Sequence, residues 1–189
     1  EGSLFAKYLD DLPTTPERIA AMFTRAQGPA LESVAAHYAG YPRGHTPVQL
    51  GGDYMFLRPT LEAAAAHSAY APTYHYRYDF TTLVLRRMGL AAAHATELIP
   101  VFGLGSSPLG RGITALGGRR DLTEVSRKMQ GHWLSFANYG APLASWPAYD
   151  TSGRQSMVFD SDTRVVADLN RDRRLAWSQY RRPYAAAPA

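Results

Sequence analysis

Cysteine is absent from the 189 residues. That excludes a disulfide scaffold, a thiolate metal site and a cysteine nucleophile, and it leaves the cellular compartment open. No apolar run approaches the about 20 residues a membrane helix needs, so no membrane partner is expected. A basic, apolar leader with a small-residue cleavage region is also lacking. The chain opens instead on Glu1-Gly2-Ser3-Leu4-Phe5. Without an initial Met, it reads as a processed product or as part of something longer. Charged residues are sparse, at 19% against 46% hydrophobic, which is the balance of a folded domain rather than a disordered one. One domain is expected over residues 1–182, with a flexible tail over 183–189.

Metal and nucleotide chemistry lack their signatures as well. The histidines are His37, His45, His67, His75, His94 and His132, and none stands in the H-x-x-x-H spacing that turns two rings to one helix face. There is no calcium loop and no G-x-x-x-x-G-K-[ST] phosphate loop. Gly103, Gly105 and Gly110 do not lead from a strand into a helix, as a dinucleotide site requires. We therefore expect no cofactor and no metal. The net charge of +4 is modest. Its one concentration, Arg171, Arg173, Arg174, Arg181 and Arg182, reads as the solvated face of a last helix, so no nucleic acid partner is expected.

What is present begins with helix signals. Thr15-Pro16 supplies an N-cap and a proline at the first helical position, and Ile19, Met22 and Phe23 follow on one face. Gly28-Pro29 then breaks the pattern. A second helix is expected with Leu31, Val34, Ala35 and Tyr38 inward, ending at Gly40-Tyr41-Pro42. A third helical stretch covers 47–68, kinked or restarted at Pro59. From Thr73 to Phe80 the period changes to two: Tyr74, Tyr76, Tyr78 and Phe80 alternate with polar residues, as on a strand. Such a row could stack bases, but flanking helices favour a core role.

From Gly89 to Gly118 the composition is that of a loop. Asp121 and Glu124 form a capping-box pattern that opens a helix carrying Leu122, Val125, Met129, Trp133 and Phe136, with Gly140 as its stop. A hairpin is expected across Asp160-Ser161-Asp162, and a short final helix holds Leu175 and Trp177. A lone aromatic strand needs partners, and these residues scarcely offer any, so part of a sheet is expected outside the chain.

For chemistry, His94 has the most suggestive setting. It lies on a loop of small residues beyond the aromatic strand, with Glu97 three positions on, where a general base could reach a cleft. Spacing alone favours a plain surface histidine over that role.

Several segments are similar to the C-terminal half of the type-B carboxylesterase family, which includes bacterial para-nitrobenzyl esterases and the cholinesterases. They are Glu1-Gly2-Ser3-Leu4-Phe5, Leu50-Gly51-Gly52-Asp53-Tyr54-Met55-Phe56, the stretch 89–103 around His94, Met129 to Pro142, and Trp146 to Asp150. Their order is the family's and they span nearly the whole chain. The resemblance implies an α/β fold, specifically the C-terminal portion of an α/β-hydrolase, helix-rich and with the N-terminal part of the sheet missing. It implies a carboxylic ester substrate, His94 as general base and acid, Glu1 as the carboxylate that orients it, and Glu97 as a buried acid behind them.

The pattern departs from the family at Ala95, where Gly is usual, and at Ile99-Pro100. If position 95 needs a positive φ, alanine there costs about 1 kcal/mol. No serine sits in a G-x-S-x-G elbow; Ser106 and Ser107 come nearest. Because the order in α/β-hydrolases is serine, acid, histidine, the nucleophile is expected upstream of Glu1, on an N-terminal half that would be this chain's partner. The alternatives are a cholinesterase-like binding or adhesion protein that keeps the fold without the chemistry, and an unrelated helical interaction domain.

Overall fold

The computed structural model describes residues 12–26 and 30–180. In chain order its elements are α1 (Pro16–Arg25), α2 (Leu31–Ala35), α3 (Thr46–Gly52), a π-helical turn (Asp53–Leu57) and α4 (Arg58–His67). Next come β1 (Tyr76–Tyr78), α5 (Leu83–Arg87), α6 (Leu98–Val101), a 3-10 turn (Leu104–Ser106), α7 (Pro108–Ile113) and the long α8 (Arg119–Tyr139). The hairpin β2 (Gln155–Phe159) and β3 (Arg164–Ala167) precedes α9 (Arg171–Trp177). Two compact units result. Among the described residues, one takes 12–26, 30–61 and 170–180, and the other is Glu62–Leu169.

In the first unit, α1 starts as its sequence directs. The Thr15 side chain accepts the Arg18 N–H at 3.4 Å, with Pro16 behind it. Ile19, Val34, Tyr38, Leu50, Trp177 and Tyr180 form its core, with Met22, Phe23, Leu31 and Tyr54 packed against them. At the centre runs a polar chain. The Trp177 indole N–H donates to the Tyr38 hydroxyl at 2.8 Å, and that hydroxyl donates to Asp53 at 2.7 Å. Arg173 pairs with the same carboxylate at 3.4 Å and lies 4.6 Å from the Tyr38 ring centroid. Burial, and then the negative charge of Asp53, push the Tyr38 phenol far above its ordinary value, so it remains a donor. Arg173 is therefore not part of a solvated face, which corrects the reading of the arginine cluster at that position. Arg181, Arg182 and the tail 183–189 lie outside the described residues.

The helix expected over 47–68 meets Pro59 by a different route from a kink. Proline has no N–H, and its ring crowds the carbonyl four residues back. Just ahead of it the chain widens into the π turn, where the Arg58 N–H reaches the Asp53 carbonyl, five residues back.

In the second unit, β1 pairs parallel to β2 with Tyr76 opposite Met157 and Tyr78 opposite Phe159, and β2 pairs antiparallel to β3. The aromatic strand thus has a partner within the chain, contrary to the expectation that these residues scarcely offer one. That partner is half of the expected hairpin. Among the described residues the sheet has three strands in the order β1-β2-β3.

The aromatic row is core. Tyr76 meets Trp133, Trp146 and Phe159 edge-on at centroid distances of 5.2, 5.9 and 5.9 Å. Leu122, Val125 and Met129 of α8 are buried in the same cluster. Two boundaries differ from the sequence signals. The capping box does not form: α8 starts at Arg119 after Gly118 in the left-handed region (φ +88), and Glu124 pairs with Arg127 at 2.6 Å. The stretch 89–118 is not simply loop, since it holds α6 and α7. Ser107 caps α7 by accepting the Gly110 N–H at 3.1 Å, and Pro108 follows it. Gly140, at φ +73, ends α8 where expected.

Tyr38→Phe removes the hydroxyl that serves both Trp177 and Asp53, leaving a buried donor without its acceptor. Loss of about 1–3 kcal/mol of unfolding free energy is expected from denaturant titration; an unchanged midpoint would refute the role given to this chain of bonds.

Candidate functional site

His94 lies in the second unit, exposed, on the turn between α5 and α6. The turn is anchored at Ala93, whose side chain is buried. The Thr96 N–H bonds to the Ala93 carbonyl at 3.2 Å, and the Thr96 hydroxyl donates to that same oxygen at 2.6 Å. Ala95 sits between at φ +66, so the third residue of the turn is left-handed, the corner that favours glycine. The departure from glycine at 95 is therefore strained, by about 1 kcal/mol.

Beyond the turn the chain enters α6, and Ile99 and Pro100, the second departure, are both buried there. In a helix of four residues the carbonyls depend on donors just beyond it, as the Leu98 carbonyl does on the Phe102 N–H at 3.0 Å and the Pro100 carbonyl on the Gly103 N–H at 3.2 Å. Here α8 supplies donors: the Ser126 hydroxyl bonds to the Pro100 carbonyl at 2.7 Å, and the Gln130 amide to the Val101 carbonyl at 3.3 Å. Gly103 follows at φ +66, and any Cβ there would run into the Gln130 side chain.

Glu97 lies in the same turn as His94 and is half-buried. Its charge acts on Tyr78 of β1. Burial, then Glu97, then Asp160 push the Tyr78 phenol well above its usual range and keep it a neutral hydroxyl. His94 and Glu97 are thus brought to one turn. Glu1, the expected orienting acid, lies outside the described residues. Thr96, Ser126 and Gln130 went unnoticed in the sequence, because their partners are backbone carbonyls whose positions depend on the fold.

The remaining histidines divide by burial. His37, His45 and His67 are exposed. His75 is buried and bonded to Ser156 at 2.7 Å. His132 is buried edge-on against Trp146 at 5.3 Å. A cleft of about 480 Å³ in the same unit is lined by Asp79, Thr82, Arg86, Gly118, Asp121 and Asp160, among others, but by neither His94 nor Glu97.

The carboxylesterase family model matches residues 40–177. The chain is 30% identical over 181 residues to the para-nitrobenzyl esterase of Bacillus subtilis (strain 168), an alignment covering 92% of this chain and 35% of that protein. It is 28% identical over 142 residues to the acylcarnitine hydrolase of Rattus norvegicus, covering 69% of this chain and 24% of that protein. Among solved structures, a PNB esterase superposes with a TM-score of 0.73 at 28% identity, covering 93% of this chain and 36% of that one. A carboxylesterase of Geobacillus stearothermophilus at pH 6.2 gives 0.67 at 29% identity, with 86% and 34% covered. The chain thus spans about a third of the length of its para-nitrobenzyl esterase relative. These neighbours carry the α/β-hydrolase fold, and the three-stranded sheet with its helices is a portion of it.

Burial, and next the Arg77 charge, hold the His75 imidazole below its ordinary value, and burial does the same at His132. Below about pH 6.5 the unfolded chain therefore binds protons that the folded chain refuses, so stability falls with falling pH. Thermal unfolding between pH 7 and 5 is expected to show this decline. His75→Asn, which keeps a partner for Ser156, should start lower and decline less steeply; an equal slope would rule out His75 as a source.

Proposed function

The chain belongs to the carboxylesterase family, and from that premise we propose that it is the C-terminal portion of a serine carboxylesterase acting on small carboxylic esters. In this reading His94 is the general base, Glu1 the carboxylate that orients it, and Glu97 an acid behind the histidine turn. The serine nucleophile and the oxyanion hole lie on an N-terminal portion that packs against this one. A serine hydroxyl is a poor nucleophile until a base takes its proton. The imidazole would accept that proton as the hydroxyl attacks the ester carbonyl, then deliver it to the departing alkoxide. A carboxylate on its far nitrogen would fix the tautomer and stabilise the imidazolium between the two transfers.

The observation that carries the reading is the place of His94: exposed, on a braced turn in the stretch that leaves β1, within the segment similar to the family's histidine segment. One further feature agrees with an absent N-terminal portion. Leu98, Phe102, Leu104, Leu109 and Leu116, all large and apolar, stand exposed in one stretch of chain, as surface does when it is meant to be buried. The relatives named above are esterases and hydrolases, so the alternative of a binding protein without chemistry has no support.

The test is hydrolysis of a short-chain p-nitrophenyl ester. In the whole enzyme, His94→Ala should lower kcat/KM by about three orders of magnitude or more; near-full activity would mean that another residue is the base. The 189-residue chain by itself should give no turnover, and turnover abolished by His94→Ala would show that the nucleophile lies within it.

A further inference from the structure

We propose that Thr96 is a positioning residue for His94: its hydroxyl holds closed a turn whose third corner is occupied by the wrong kind of residue. The proposal rests on the reading of His94 as general base and adds to it the group that sets the ring's place.

Three observations converge on one carbonyl. Ala93 is buried, and its oxygen receives both the Thr96 N–H at 3.2 Å and the Thr96 hydroxyl at 2.6 Å. His94 lies between the two ends of this clasp, so its backbone is set by the closure. Ala95, the residue next to it, is at φ +66, where a glycine would rest without strain and an alanine does not. A strained corner persists only where its surroundings over-determine it. The backbone bond is the longer of the two, and the hydroxyl bond is the short one that backs it. Farther along, Ser126 and Gln130 hold α6 through the Pro100 and Val101 carbonyls. They brace the far end of the segment; at the histidine end the Leu98 N–H reaches the Ala95 carbonyl at 3.2 Å, and the Thr96 hydroxyl closes the turn around His94.

A general base must sit within hydrogen-bond reach of the proton it takes, and a misplacement of about 1 Å can cost two orders of magnitude in rate. Substrate binding does not depend on that placement. Loss of the Thr96 hydroxyl should therefore appear in kcat and not in KM.

The experiment uses the whole enzyme and a p-nitrophenyl ester, with four variants at these two positions and His94→Ala as reference. Thr96→Val should lower kcat about tenfold with KM changed less than about twofold. Thr96→Ala, which adds no new methyl contact, should match it and guards against a fold defect peculiar to valine. Thr96→Ser keeps the hydroxyl and should remain within about threefold of the parent. Placing Ala95→Gly in the Thr96→Val background should recover most of the lost kcat, because glycine holds the corner unaided.

A parent-like kcat in both Thr96→Val and Thr96→Ala overturns the proposal. So does a Thr96→Ser as impaired as the valine variant, or a double variant that recovers nothing. His94→Ala separates the two claims. If it abolishes activity while the Thr96 variants are unaffected, only the positioning role fails; if it retains activity, the base assignment fails and the positioning role with it.

Discussion

The parallel pairing of β1 with β2 is the constraint on which the second unit depends. Two parallel strands cannot be joined by a tight turn, and the chain must travel back along the sheet before it re-enters. Here the return takes everything from Asp79 to Arg154, including α5 to α8 and the histidine turn. His94 is therefore a passenger on a crossover whose two ends are fixed by ladder bonds. The Asp79 N–H to the Phe159 carbonyl at 2.9 Å and the Met157 N–H to the His75 carbonyl at 3.0 Å carry the pairing past the strand ends. The aromatic cluster of Tyr76, Trp133, Trp146 and Phe159 then fastens α8 to the sheet. Once α8 is fixed, its Ser126 and Gln130 can present donors to the short helix that follows the histidine turn.

Local signals were legible wherever a residue's own chemistry decides its conformation. Thr15-Pro16 starts α1, Gly140 stops α8, and the hairpin lies where two apolar runs flank Asp160-Ser161-Asp162. Of the alternating aromatics, Tyr76 and Tyr78 lie on β1, which is shorter than the expected 73–80, while Tyr74 and Phe80 pack on the same core beyond its ends. What failed is what depends on distant partners. Tyr76 faces Met157, 81 positions along the chain as His75 is from Ser156, and periodicity holds no record of such a pairing. At Gly118 the capping box lost to a competing start, since a glycine already in the left-handed region can turn the chain into the helix before Asp121 arrives. Ser107-Pro108 carried a readable cap signal, hidden by the glycine-rich stretch around it.

The candidate site was legible in an uneven way. His94 and Glu97 stand out by type, spacing and resemblance, and the fold puts them on one turn. The substitution at 95 was visible as a departure, and its cost follows from the positive φ that the fold imposes. Thr96 carried no signal, because a threonine next to a histidine is unremarkable until the carbonyl it meets is known. Arg173 shows the same limit from the opposite side: a basic cluster suggests solvent, yet this member spans Asp53 and the Tyr38 ring.

Glu97 connects the turn to the sheet in a further way. A carboxylate beside a buried phenol does not ionise the phenol; it makes ionisation harder, and both burial and Glu97 act in that direction on Tyr78. The result is a neutral hydroxyl on β1 in the field of a carboxylate on the histidine turn. Tyr78 itself is held by its place opposite Phe159 in the ladder and by its ring contact with Phe80 at 6.4 Å. The same parallel pairing that forces the crossover therefore also fixes the group against which the acid of the turn is set. A turn strained at Ala95 keeps its shape through the bonds that close it, the Thr96 N–H and hydroxyl on the Ala93 carbonyl, and not because its own residues prefer it.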